Sequence, residues 1–151
     1  MNADVAAISR TCSIAGEPQT VWAQLADFGS LATWAPNVDH SCLLEHGDGP
    51  VGATRRVQVG RDTLVERITE FSPLTALAYD IEGLPRRLRR VSNRWTLSPS
   101  ASGLTTVTLT SVVEIGTNPL AHLAERAVCR MLARQSDVML DGLKAQVEGQ
   151  L

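Results

Sequence analysis

Between Asp4 and Ile14 the odd and even positions separate, with Ala6, Ile8, Cys12 and Ile14 forming the more apolar set. This period of two predicts a half-buried first strand. From Glu17 the period changes. Pro18 suits a helix start, Val21, Trp22, Leu25 and Ala26 recur at helical spacing, and Phe28-Gly29 supplies a stop, so a short helix is expected to end near Asp27. Ser30 to Pro36 reads as one further helical turn, broken by Pro36. Strand patterns then follow closely: Val38 to Glu45, Ala53 to Val59, Asp62 to Phe71, Leu77 to Glu82, Arg89 to Leu97 and Leu104 to Ile115. Turn residues separate them, at His46 to Pro50, Gly60-Arg61, Ser72-Pro73, an irregular stretch from Gly83 to about Leu88, and Ser98 to Gly103. No helix intervenes between the second and seventh strands, so an antiparallel meander is expected.

The last element is one long helix from about Asn118, a plausible N-cap before Pro119, through Glu148. Gly142 is its one poor helix former. His122, Arg126, Arg130, Asp137, Asp141, Lys144 and Glu148 gather on one side, and Ala124, Val128, Met131, Val138, Met139 and Gly142 on the other.

Composition narrows the function classes. The chain has 151 residues, 44% of them hydrophobic, which suits one domain over residues 1–151 with one core. Its net charge of −2 lacks the basic footprint of a nucleic-acid binder, so no nucleic-acid partner is expected. No apolar run reaches the length of a membrane span and no leader-like start is visible, so a cytoplasmic location is expected. Cys12, Cys42 and Cys129 are far apart and read as reduced, buried thiols. His40, His46 and His122 are dispersed, which argues against a metal site, and no phosphate loop, nucleophile elbow or zinc pattern calls for a cofactor.

The order of elements and several segments resemble the polyketide cyclase/dehydrase group of START-like (SRPBCC) lipid-binding domains. The segments are Val21 to Phe28, Trp34 to Val38, Val51 to Val57, Glu66 to Pro73, Leu77 to Tyr79 and Arg94 to Pro99. The resemblance covers nearly the whole chain. It implies an α+β helix-grip fold: a curved seven-stranded antiparallel sheet wrapped around a long C-terminal helix, with two short helices after the first strand. It also implies a cavity between the sheet's concave face and that helix, which different members use for lipids, polyketides, quinones or hormones. The fold hosts many functions, so the site must be argued from its own residues.

Parity places Glu66 beside Leu64 and Ile68 on the apolar face of its strand. An inward carboxylate suits a general base or a ligand acceptor, or else it pairs with Arg55 or Arg56 on the neighbouring strand. Tyr79, Asn93 and Trp95 also face inward, where they either orient a ligand or bond the backbone and water. Gln135 interrupts the helix's apolar face, to meet a ligand or a sheet residue such as Asn93. Trp34 either gates the cavity or plugs the space under the short helices. With Val57, Ile68 and Met131, these residues form the expected cavity wall.

Three functions follow. The first is the binding of a hydrophobic small molecule. The second is a polyketide cyclase, aromatase or dehydratase in which Glu66 or Tyr79 moves a proton. The third is a protein-interaction module resembling the quinone chaperones. Arg86, Arg87, Arg89 and Arg90 supply a basic surface for an acyl carrier protein, its phosphopantetheine arm or anionic headgroups.

Overall fold

A computed structural model describes residues 4–84, 88–115 and 121–150. Seven strands form one sheet: β1 (Asp4–Ala15), β2 (His40–Glu45), β3 (Thr54–Val59), β4 (Asp62–Ser72), β5 (Ala76–Glu82), β6 (Leu88–Pro99) and β7 (Leu104–Ile115). Their spatial order is β1-β7-β6-β5-β4-β3-β2, with every pair antiparallel. Between β1 and β2 lie α1 (Pro18–Ala26) and a 3-10 segment (Phe28–Thr33), and α2 (Ala121–Glu148) ends the fold. This is the helix-grip arrangement of a curved antiparallel sheet, two short helices and a long terminal helix. The expected N-cap of that helix, Asn118, lies outside the described residues.

Alternation fixes which side of the sheet is wet. In β7 every second residue from Thr105 to Ile115 is buried while the intervening ones are half-exposed. A register shift in β4 between Ile68 and Glu70 interrupts this logic. Glu66 and Ile68 point inward before it, and Phe71 packs against the core after it, edge-on to Trp22 with ring centroids 5.1 Å apart. Glu70 is thereby turned outward, where Arg94 Nε donates to it at 2.8 Å.

The second strand is shorter than its pattern suggests. Val38 is buried ahead of β2, and Asp39 N donates to Gln58 O at 2.8 Å before regular pairing begins at His40. Cys42 is exposed on this edge strand, and Cys12 and Cys129 are half-buried, so the three free thiols are not the buried core residues that the sequence suggests. An edge strand leaves one face to solvent, which sequence spacing does not reveal.

Met139, Leu140, Leu143 and Val147 bury one stripe of α2 against the sheet and α1. Gly142 lets the chain after the 3-10 segment pass against α2: a Cβ there would stand 2.2 Å from Trp34 O and 2.5 Å from Pro36 Cδ. At the far end of α2, Lys144 Nζ donates to Ser13 O at 2.7 Å and Glu148 Oε1 accepts from Ala15 N at 3.0 Å. These contacts tie the helix to β1.

Candidate functional site

The strongest electrostatic feature inside the sheet is an ion pair. Arg55 on β3 and Glu66 on β4 are direct cross-strand partners, both buried. Arg55 Nε and Nη2 each stand 2.7 Å from Glu66 Oε1, and Nη1 donates to Phe28 O at 2.9 Å. The guanidinium also lies 3.8 Å from the Phe28 ring centroid and 4.7 Å from that of Tyr79. Of the two partners the sequence offers Glu66, the structure selects Arg55. Arg56 is half-buried and donates to Gln58 Oε1 instead.

Tyr79, Asn93 and Ser111 face inward at one level across β5, β6 and β7, each opposite the next. Ser111 Oγ donates to Asn93 Oδ1 at 2.6 Å, Asn93 Nδ2 donates to Tyr79 Oη at 3.3 Å, and Trp95 Nε1 donates to the same oxygen at 3.2 Å. Burial, and then the nearby Glu66 carboxylate, raise the Tyr79 pKa above its ordinary value. At neutral pH this phenol is a hydrogen-bonding group and a poor proton source.

Trp34 is buried with its ring edge-on to Trp95 at 5.8 Å. Gln135 does not reach Asn93. Its Oε1 accepts from Asn37 Nδ2 at 2.5 Å, because the chain after the 3-10 segment lies along α2 between the helix and that part of the sheet. Val57 and Ile68 are buried, and Met131 is instead 46% exposed, off the stripe that α2 buries. Arg90 is exposed and pairs with Asp80 at 3.2 Å. Arg86 and Arg87 lie outside the described residues, as does the side chain of Arg89.

A cleft of about 630 Å³ lies between the 3-10 segment, the β2–β3 connection and β4. Phe28, Leu43, Ala53, Ile68 and Phe71 supply its apolar wall, and Asp27, Ser30 and His46 its polar margin. Of the cavity residues expected from sequence, Ile68 lines this cleft. Trp34, Tyr79 and Trp95, expected on the same wall, are buried and do not line it. Phe28 joins the two regions, since its ring packs edge-on against Tyr79 at 5.6 Å. The Gly/Pro-rich turn from His46 to Pro50 was the available signal for the mouth, but turn chemistry does not say what a turn overhangs.

The 3-10 wall is held from two sides. Ser41 Oγ donates to Gly29 O at 2.8 Å and accepts from Ala32 N at 2.9 Å, while Arg55 holds Phe28 O. The arrangement offers an apolar recess with a fixed rim. Among the described residues no cluster of three or more His, Cys, Asp or Glu is placed to hold a metal ion, and no helix is long and apolar enough to cross a membrane.

Comparison with known proteins agrees with this architecture. The family model described as polyketide cyclase / dehydrase and lipid transport matches residues 5–148. The structure is similar to the Zhui aromatase/cyclase from Streptomyces sp. R1128, with a TM-score of 0.82 at 19% identity over 96% of this chain and 94% of that one. It is similar to a START superfamily protein from Mycobacterium smegmatis, with a TM-score of 0.79 at 15% identity over 96% and 99% of the two chains. Ara h 8.0201 gives a TM-score of 0.74 at 16% identity over 97% and 99%. At these identities the likeness is one of fold. No curated protein sequence matches the chain.

Proposed function

Because the chain belongs to the polyketide cyclase/dehydrase and lipid transport family, we propose that it binds a hydrophobic small molecule, with the cleft beside the 3-10 segment as the entry and principal apolar wall. The observation that carries this reading is the cleft itself, about 630 Å³ with an aromatic and aliphatic wall and a polar margin. Small-molecule sites fall in the range of roughly 300–1,000 Å³ and have this mixed lining.

A binding role also fits the groups with acid/base potential. Glu66 Oε1 is engaged by two Arg55 nitrogens, and Tyr79 is buried beneath Phe28 with its oxygen accepting two N–H bonds. A second reading, a cyclase or dehydratase acting on a polyketide, draws support from Asp27 and His46, two ionisable residues on the cleft lining.

The test is a fluorescence titration with N-phenyl-1-naphthylamine, an apolar probe, on the wild type and on Leu43→Trp, which narrows the cleft from its partly exposed wall. Saturable binding that weakens about tenfold or more in the variant supports the cleft reading. Equal affinity in the two proteins removes it. For the catalytic reading, turnover of a polyketide substrate that disappears in His46→Gln while probe affinity is retained is the required result.

A further inference from the structure

Between Glu125 and Gln135, α2 presents two opposite sides. Val128 and Leu132 pack on a second apolar cluster, built on Val91, Val113 and Ile115. On the other side Arg126, Arg130 and Arg134 follow one another one helical turn apart, all three exposed. Beside them stand exposed Ala127 and Met131, the latter 46% exposed. None of the three arginines makes an ion pair with a described residue. Asp137, the next acid along the helix, pairs with Arg10 of β1 at 3.6 Å.

Like charges one turn apart repel each other, so this stripe works against the helix that carries it. A second concentration of charge adjoins it. The connection between β5 and β6 leads into the four arginines of residues 86–90, and Leu84 and Val91, which flank that run, belong to the cluster that Val128 and Leu132 cover. Of the four, Arg90 is exposed and pairs with Asp80. Residues 86–90 and 126–134 hold seven of the 14 Lys and Arg and no acid, so all 16 acidic residues fall elsewhere. A chain with a net charge of only −2 is thus strongly polarised.

We propose that this side of α2 is a docking surface for an anionic phospholipid bilayer, with Arg126, Arg130 and Arg134 on the lipid phosphates and Met131 entering between the headgroups. A guanidinium donates to phosphate oxygens in pairs, and its aliphatic stem lies along apolar material while the charge stays at the polar level. Exposed Met131 favours a bilayer over a purely polar polyanion, which offers phosphates but no apolar layer beneath them. An apolar ligand is held in bilayers rather than in water, so a carrier that docks there meets it where it is concentrated. The surface goes beyond the small-molecule reading and stands apart from it, since no described residue of α2 lines the cleft.

The test is co-sedimentation of the full chain with vesicles of equal parts phosphatidylcholine and phosphatidylglycerol, and with phosphatidylcholine alone. The wild type is expected to bind the anionic vesicles about tenfold or more tightly, and to be released as sodium chloride rises toward about 1 M. Each arginine at such a surface contributes about fivefold, so Arg126→Gln/Arg130→Gln/Arg134→Gln is expected to weaken binding about a hundredfold. Glutamine is a comparable helix former, and an unchanged circular dichroism spectrum checks the fold. In Met131→Trp, fluorescence emission is expected to shift to shorter wavelength on the anionic vesicles, a shift that the wild type does not show. A folded wild type that ignores anionic vesicles, equal binding to both vesicle types, a triple variant that binds as the wild type does, or an unshifted Met131→Trp emission overturns the bilayer surface. So does a wild type that leaves the vesicles alone and binds an acidic acyl carrier protein or duplex DNA through the same arginines. Probe binding in the cleft is measured separately, so either reading can fail while the other stands.

Discussion

Arg55 and Glu66 face each other across the β3–β4 pairing, and a single carboxylate oxygen of Glu66 lies 2.7 Å from two nitrogens of Arg55 inside the sheet. The third guanidinium nitrogen, Nη1, holds the Phe28 carbonyl of the 3-10 segment, so one buried side chain connects β3, β4 and the cleft wall.

Breaking this pair from one side leaves a cation among the Phe28 and Tyr79 rings. Glu66→Ala is expected to lower unfolding free energy by about 3–5 kcal/mol, the usual cost of an uncompensated buried charge. The double variant Arg55→Met/Glu66→Leu is expected to recover most of that loss, because it removes both desolvated charges. Urea denaturation of the wild type and the two variants makes the comparison; a double variant as unstable as Glu66→Ala would show that the pair stabilises the fold in its own right.

Gly142 offers a second test, in which helix propensity and packing oppose each other. Alanine is the better helix former by roughly 1 kcal/mol, yet its Cβ would meet Trp34 O and Pro36 Cδ. Overpacking of this kind costs about 1–3 kcal/mol. Gly142→Ala is therefore expected to lower Tm, and a raised Tm would mean that the segment from Trp34 to Pro36 yields freely.

These contacts mark the boundary of what the sequence made legible. Alternation located the strands, and the parity of Leu64, Glu66 and Ile68 turned Glu66 inward as observed. The meander order followed from the absence of helices between β2 and β7. The partner of Gln135 was not legible, because it depends on the path of residues 34–37 along α2, which the missing Cβ of Gly142 permits. Nor was the cleft. Its wall brings together Phe28, Leu43, Ala53, Ile68 and Phe71 from separate segments of the chain, and only the folded chain shows that they meet. Met131 illustrates the limit of a helical wheel: it is 46% exposed because the stripe that α2 buries runs through Leu132, Met139, Leu143 and Val147.

Leu74 is the one described non-glycine residue with positive φ, at 68°, in the turn between β4 and β5, and it is 38% exposed. An L-residue in this region costs about 1–2 kcal/mol relative to right-handed backbone, and asparagine tolerates it better than a bulky side chain does. Leu74→Asn is expected to raise stability by about 0.5–1 kcal/mol, measured as a higher urea midpoint with an unchanged slope.

Tyr79 is the only tyrosine of the chain, so absorbance near 295 nm reports its ionisation alone. Burial, with the Glu66 carboxylate adding to it, raises its pKa above the ordinary 10.0 and outweighs the Arg55 cation and the bonds from Trp95 and Asn93. The unfolded chain then loses this proton at lower pH than the folded one. The stabilisation from keeping Tyr79 neutral is fully present below the unfolded pKa, near 10, and is lost as pH rises from there through the folded pKa. The expected result is that no phenolate signal develops at pH 10 in folded protein, and that the signal emerges at higher pH together with loss of the near-ultraviolet tryptophan signal. Tyr79→Phe removes this alkaline sensitivity but leaves Trp95 Nε1 and Asn93 Nδ2 without their shared acceptor, so it is expected to be less stable than the wild type at neutral pH. A phenolate that forms near pH 10 with tertiary structure intact would place the Tyr79 hydroxyl in contact with solvent and remove the sealed interior on which the packing of Phe28 and Trp34 depends.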